Sequence, residues 1–520
     1  MLSKFKLAKY ITLIAIAFSS IVALNQPVMT AEKIEFNYSL LGFKVEVQDL
    51  EDFATKGEVS DSLNFYLKRI SPKKRKRLQK FLTQSYDVDP VLVYRYSRTS
   101  VGIKMLQRVG EIIQLPGYIN GFYGLRAAVV QTAQSPDGIN LIDFLQGFPT
   151  DIKLNLKELL QLVKQVSHGE KEVEDFIAGL SQEAVVDSQA NVKNAPDLSQ
   201  PGQYQAQLQT LELYDTGRDR KLVTDLYLPQ GKIDSIPMIV VSNGLGAKRD
   251  RFEELAYHLT SHGFGVVIPD HPGSDRRRQK DFVKGLYKEI FDATDFVDRP
   301  LDISYILDEL EQLNSKRFNN RLNLEQVGIF GYSLGGTTAL SLAGAEFDFA
   351  KLAQDCAQPL NLLNISILYQ CRALELPQTK RSLKDNRISA AFMFVPFGNS
   401  IFSQQDLKNI SIPTMLQVVD QDFLTSLLKE QVPLFNSLGG DHHLVISQNL
   451  PHSNATLSKE QQSKQAETSR VAKTYQNILS LVFFQNYVAQ DSNYLTYLSQ
   501  AYLQAIAQQP YNLHLLSNKS

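Results

Sequence analysis

Net charge is nearly absent from this chain. Its 54 Lys and Arg residues face 55 Asp and Glu residues, for a formal net charge of -1 at pH 7. No global field draws the chain to nucleic acid or to an anionic surface, so nucleic-acid partners are not expected and function has to come from a local site. Cysteine is almost as scarce, with only Cys356 and Cys371. Neither follows the N-terminal apolar run, which argues against a lipid-anchored terminus. Beyond that run no stretch approaches the about 20 apolar residues of a membrane span. Metal-ligand spacing is missing too. His442–His443 and "PDH" at 269 to 271 would not bring three ligands together, so no metal is expected. "GFG" at 263 to 265 lacks the wider G-x-G-x-x-G spacing of a dinucleotide site, and no cofactor is called for.

What is present is the composition of an ordinary globular protein, 43% apolar and 21% charged over 520 residues, enough for two or three domains. The N-terminus reads as a processed leader. Lys4, Lys6 and Lys9 precede an apolar stretch from Tyr10 to Leu24, and small and polar residues follow. A signal peptide over residues 1–31, cut after Ala31, is expected, and with it export to a periplasm, a lumen or the medium. Met29 is not ideal near the cut, and an uncleaved membrane anchor is the alternative. In an exported chain Cys356 and Cys371 are expected to pair; two separate buried thiols are the other reading.

Residues 32–165 read as a mainly helical domain that opens with a short strand pair, "KIEFNYSLLGFKVEV". "SDSLNFYLKRI" begins at a capping serine. "SPKKRKRLQKFL" has Ser71 as cap and Pro72 at the first helical position, where its missing N–H costs nothing. The basic run Lys73 to Arg77 reads as the solvated face of that helix, with an anionic surface as the alternative partner. Residues 166–203 lose periodicity and read as a linker. From residue 204 to 520 the pattern becomes α/β. A hairpin, "AQLQTLELYDTGRDRKLVTDLYLPQG", is followed by short apolar runs: "MIVVSNG", "FGVVIPD", "VGIFGYS", "AAFMFVP", "TMLQVVD" and "HLVISQN". Such runs, separated by helical segments, predict a mostly parallel sheet buried on both faces. Ligands then collect beyond the carboxyl ends of its strands. Residues 346–387 interrupt the alternation and hold both cysteines. They read as an insertion, either a lid that lines a pocket or an extra packing helix.

"FGYSLGG" places Ser333 between Gly331 and Gly335, after a strand pattern and before a helix pattern. A nucleophile on such a strained turn is pushed out above the sheet, and small flanking residues avoid clashes. A serine hydroxyl needs a base. Among eight histidines, His168, His258, His262 and His271 precede Ser333, His514 sits in the tail, and His442 and His443 start a strand. His452 lies in the loop after that strand and is the expected base. The preceding strand ends in Asp420 and Asp422. Asp422, further into the loop, is the expected acid, and the unused carboxylate would cap the next helix. An oxyanion hole needs two backbone N–H groups. Leu334 follows the nucleophile, and Leu245 follows Asn243 and Gly244 in "VVSNGLGAKRD".

From residue 204 onward the chain resembles the α/β-hydrolase family, nearest to its platelet-activating-factor acetylhydrolase-like and dienelactone-hydrolase-like branches. "VVSNGLGAKRDRFEELAYHLTSHGFGVVIPDHPGS", "DRPLDISYILDEL" and "FGYSLGG" carry the likeness, with Asn243 where the acetylhydrolases have histidine. "GEVSDSLNFYLKRISPKKRKRLQKFL" and "LRAAVVQTAQSPDGINLIDFLQGFPT" resemble a domain of unknown function that precedes such hydrolases in photosynthetic bacteria. The resemblance implies an α/β-hydrolase fold and a serine hydrolase acting on a small-molecule or lipid ester, short-acyl or phospholipid. An acyltransferase using the same triad and a non-catalytic binding or scaffold module are the alternatives. The helical domain or the insertion would make any contact with a membrane surface. The sequence carries no signal of oligomeric state.

Overall fold

The computed structural model describes residues 30–183, 195–379, 381–452 and 459–518. The signal peptide expected over residues 1–31 lies outside them except for its last two residues. Ala31, expected to end the leader, is buried at 4% exposure among Val47, Leu125 and Phe148, and its N–H donates to the Phe148 carbonyl at 2.8 Å. Among the described residues, no helix is long and apolar enough to cross a membrane.

The chain divides into two compact units. One takes the chain up to Tyr94 and Leu106–Gln161; the other takes Arg95–Met105 and Leu162–Ser520. In the first, β1 (Lys33–Tyr38) and β2 (Leu41–Glu46) form the expected antiparallel hairpin. Three very short strands, β3 (Ile113–Leu115), β4 (Ile119–Asn120) and β5 (Ile152–Leu154), extend it to a five-stranded sheet of order β2-β1-β5-β3-β4. The domain is therefore less purely helical than its sequence suggests. Two of its helices start where capping chemistry puts them. Ser60 accepts from the Leu63 N–H, and Ser71 accepts from the Lys74 N–H ahead of Pro72. Lys73, Lys74, Lys76 and Arg77 are exposed.

Only the first part of the stretch expected as a linker is corrected, and its residues 184–194 lie outside the described residues. A helix runs without interruption over Leu156–Glu183, so residues 166–183 are helical. Val166, Val173, Ile177 and Leu180 repeat at helical spacing, and Ile177 and Leu180 are buried. Gly169 and Gly179, each costing about 1 kcal/mol of helix propensity, mask that stripe in the sequence.

The second unit is built on a nine-stranded sheet. β6 (Ala206–Asp215) and β7 (Arg220–Pro229) form the expected hairpin. The six apolar runs become β8 (Ile236–Ser242), β9 (Gly265–Pro269), β10 (Leu322–Tyr332), β11 (Ile388–Phe394), β12 (Thr414–Val419) and β13 (His442–Ser447). Every residue of β9, β12 and β13 is buried, as a sheet covered on both faces requires. A further edge strand, β14 (Leu513–Asn518), pairs antiparallel with β13 and has no counterpart among the sequence expectations. The order is β14-β13-β12-β11-β10-β8-β9-β7-β6, and β8 through β13 run parallel. β9 lies on one side of β8 and β10 on the other. The winding reverses there, which opens a crevice at the carboxyl ends of β8 and β10.

The segment 346–387 contains helices Phe349–Cys356 and Ser366–Gln370, joined by a disulfide between Cys356 and Cys371. The bridge spans 15 residues. Closing a loop of this length is worth roughly 3 kcal/mol. Replacing both cysteines by serine is therefore expected to lower the urea midpoint of unfolding by an amount equivalent to about 3 kcal/mol. A midpoint equal to that of the unreduced wild type would contradict this.

Candidate active site

Ser333 stands where β10 ends and the helix Leu334–Ala343 begins. Its backbone has φ 52° and ψ -115°, a left-handed conformation that costs a non-glycine residue on the order of 1–3 kcal/mol. Three hydrogen bonds hold it there: the Ser333 N–H donates to the Phe394 carbonyl at 2.9 Å, and its carbonyl accepts from the N–H groups of Gly336 at 2.8 Å and Thr337 at 3.4 Å. The motif glycines are explained by lack of room. A Cβ on Gly331 would strike the Gly335 carbonyl, and one on Gly335 would strike the Ser242 carbonyl at the end of β8. A Cβ on Gly244 would lie 2.7 Å from the Tyr332 ring.

His452 follows β13 by a short loop. Its Nδ1 lies 2.6 Å from Asp422 Oδ2, and the side chains are 12% and 0% exposed. A carboxylate at Nδ1 keeps the ring proton there and leaves the Nε2 lone pair to accept another. Asp422 is itself fixed. Its Oδ1 accepts from the backbone N–H of Leu424 at 2.8 Å and Thr425 at 2.9 Å, and its Oδ2 accepts from Thr425 Oγ1 at 2.5 Å. Thr425 in turn accepts from Gln431 Nε2 at 2.6 Å. Thr425 and Gln431 were not foreseen. The only signal for Thr425 is its place three residues after an aspartate in a loop. Asp420 does not cap a helix, as the unused carboxylate was expected to do. It accepts from the Asn449 N–H at 2.8 Å in the loop that carries His452, and burial raises its pKa.

Leu245, Ser333, Leu334 and His452 line one cavity of about 270 Å³, at the crevice between β8 and β10. Neither the Leu245 N–H nor the Leu334 N–H has an acceptor among the described residues. Two unpaired donors beside Ser333 suit a site for developing negative charge. Phe291, Tyr369, Phe397 and Leu424 supply apolar walls, and Arg251 supplies a guanidinium. Tyr369 comes from the 346–387 segment, so that insertion does reach the cavity. Behind it, the Tyr369 hydroxyl meets the Tyr96 hydroxyl at 2.8 Å. Ser100 N–H donates to Glu289 Oε1 at 2.8 Å. These contacts explain why Arg95–Met105 groups with the second unit.

A buried charge network holds the loop that bears Leu245. Arg299, 1% exposed, donates from Nη1 to the Asn243 carbonyl at 2.6 Å and from Nε to Ser274 Oγ at 2.9 Å. The Ser274 carbonyl accepts from Gly246 N–H at 2.7 Å. Both ends of the Asn243–Gly246 turn are thus tied to one guanidinium. Asp295 lies 3.4 Å from Arg299 Nε, and burial pushes its pKa up to about 6 against the pull of that arginine. Burial lowers the pKa of His271 to about 4, with the Arg299 charge adding to the effect, and its Nε2 meets Ser242 Oγ at 3.0 Å. Asp295, Arg299 and Asp302 recur at helical spacing on the buried face of the helix Asp295–Arg317. In the sequence the only signal for this network is the spacing of these three charges along one helix face. Among the described residues, no group of three or more His, Cys, Asp or Glu side chains could hold a metal ion.

Two family models match the chain. One, described as an alpha/beta hydrolase of unknown function (DUF1400), matches residues 30–155. The other, described as the alpha/beta hydrolase fold, matches residues 237–367. The second takes in Leu245, Ser333 and Leu334 and ends before Asp422 and His452. Neither description names the acetylhydrolase branch. A search of curated proteins returns no match.

Proposed function

From a chain that belongs to the α/β-hydrolase family, we propose a serine hydrolase that cleaves carboxylic esters. The observation that carries this reading is one cavity holding a serine at positive φ, a histidine with a buried carboxylate on its Nδ1, and two unpaired backbone N–H groups. In the proposed reaction Ser333 Oγ attacks the ester carbonyl carbon while its proton passes to His452 Nε2. The Leu245 and Leu334 N–H groups receive the oxyanion. Collapse breaks the bond to the alcohol oxygen, which takes the proton from His452. Water then repeats the sequence on the acyl-enzyme and regenerates the serine. The small apolar cavity supports short acyl chains. The disulfide supports export, since such bonds persist in oxidising compartments.

A fluorophosphonate probe tests the reading. Wild-type protein is expected to be labelled at Ser333, and Ser333→Ala to lose the label together with p-nitrophenyl butyrate turnover. A folded wild type that takes no label and turns over no ester would sink it.

A further inference from the structure

Away from Ser333, His452 and the two unpaired N–H groups, the cavity walls are mostly apolar. Apart from His452, Arg251 is the one ionisable cation among its lining residues. Two nearby arginines are held by carboxylates. Arg249 pairs with Asp225 at 2.8 Å and also with Asp270, and Arg299 pairs with Asp295. Arg251 has no carboxylate partner among the described residues, and its guanidinium instead sits 5.1 Å from the centre of the Tyr332 ring. Tyr332 is the residue before Ser333, and its hydroxyl donates to the His452 carbonyl at 3.1 Å. This contact with the buried Tyr332 side chain orients the guanidinium without neutralising its charge. Arginine stays charged at any working pH and presents a planar fork that fits carboxylate and phosphate oxygens.

We propose that Arg251 is an anion subsite, and that the preferred ester carries a carboxylate or phosphate group within reach of it. This rests on the hydrolase reading for the word ester, though not for the binding of the anion. The shared chemistry is a pair of anionic oxygens beside the scissile carbonyl. They can belong to the acyl part, as in a dicarboxylic half-ester, or to the alcohol part, as in a glycerol phosphate ester. A short anionic chain also fits a small cavity whose remaining walls are apolar.

Two measurements test this. In the first, kcat/KM is compared for p-nitrophenyl hydrogen succinate and p-nitrophenyl pentanoate, and for 1-acetylglycerol 3-phosphate and 1-acetylglycerol. The pair with the larger anionic preference tells which side of the ester bears the charge. Arg251→Gln is expected to lower the anionic-to-neutral ratio of that pair about tenfold, Arg251→Glu to lower it further, and Arg251→Lys to restore part of it. The wild-type preference is expected to shrink as salt rises. In the second, binding of the inert ketone 5-oxohexanoate is followed by NMR. Affinity is expected to survive Ser333→Ala and to fall in Arg251→Gln. Ratios and affinities that ignore Arg251→Gln would overturn the proposal. If fluorophosphonate labelling fails while 5-oxohexanoate binding still depends on Arg251, the hydrolase reading falls and the anion subsite stands.

Discussion

Asp422→Asn is expected to lower kcat by roughly 10³- to 10⁴-fold, while Asp420→Asn costs no more than a few-fold. The difference follows from which atoms each carboxylate faces. Asp422 Oδ1 receives two backbone N–H groups, from Leu424 and Thr425. An asparagine there must keep its oxygen toward those donors, because its NH2 group would meet two N–H groups head-on. The amide NH2 is then directed at His452 Nδ1, where it donates. The ring proton is driven to Nε2, and the nitrogen that should accept the Ser333 proton no longer can. The fold survives, since the shape and the two backbone bonds are kept. Asp420 has a different duty. It accepts one N–H from Asn449, which an asparagine oxygen does equally well, and burial already disfavours its charge. Steady-state hydrolysis of p-nitrophenyl butyrate, with thermal melts to show that both variants fold, checks the ranking. A larger loss for Asp420→Asn would move the acid to that residue.

The parts of this chain that were legible in its sequence are those governed by local rules. The six parallel strands announce themselves because a strand covered on both faces must be apolar throughout, as "FGVVIPD" and "TMLQVVD" are. Ser333 was legible because its turn leaves no room for Cβ atoms at Gly331 and Gly335. What stayed hidden depends on partners distant in sequence. β3, β4 and β5 are too short to show a period and exist through their pairing. The helix over residues 166–183 was obscured by Gly169 and Gly179. The grouping of Arg95–Met105 with the second unit rests on Tyr96 and Ser100 meeting residues far along the chain, which no local pattern encodes. Asp422 could be placed in a loop, but the two N–H groups and the threonine that aim it could not.

Arg299 carries the other large effect. Arg299→Met is expected to destabilise the protein by about 3–5 kcal/mol, because it leaves the buried Asp295 carboxylate with only the more distant Arg220, 3.9 Å away, as counter-charge. It is also expected to lower kcat about 10²-fold in the protein that remains folded, since the Asn243–Gly246 turn loses the anchors that hold the Leu245 N–H in place. Lysine should not rescue it. One ammonium on a flexible stem cannot span the Asn243 carbonyl and Ser274 as the planar guanidinium does. The pH dependence separates an unpaired charge from simple loss of packing. The folded-state pKa of Asp295, at about 6, already lies above its unfolded value of 3.8. Removing Arg299 raises it further. A carboxyl with a raised folded pKa contributes stability that is fully present below the unfolded pKa and is lost as pH rises through the folded one. The wild type makes that loss by about pH 6, while the variant continues to lose stability above it. Urea unfolding at pH 5 and pH 8 should therefore show a wider gap between variant and wild type at pH 8. An equal gap at both pH values would mean that Arg299 acts by packing alone, and an unchanged kcat would detach it from the oxyanion turn.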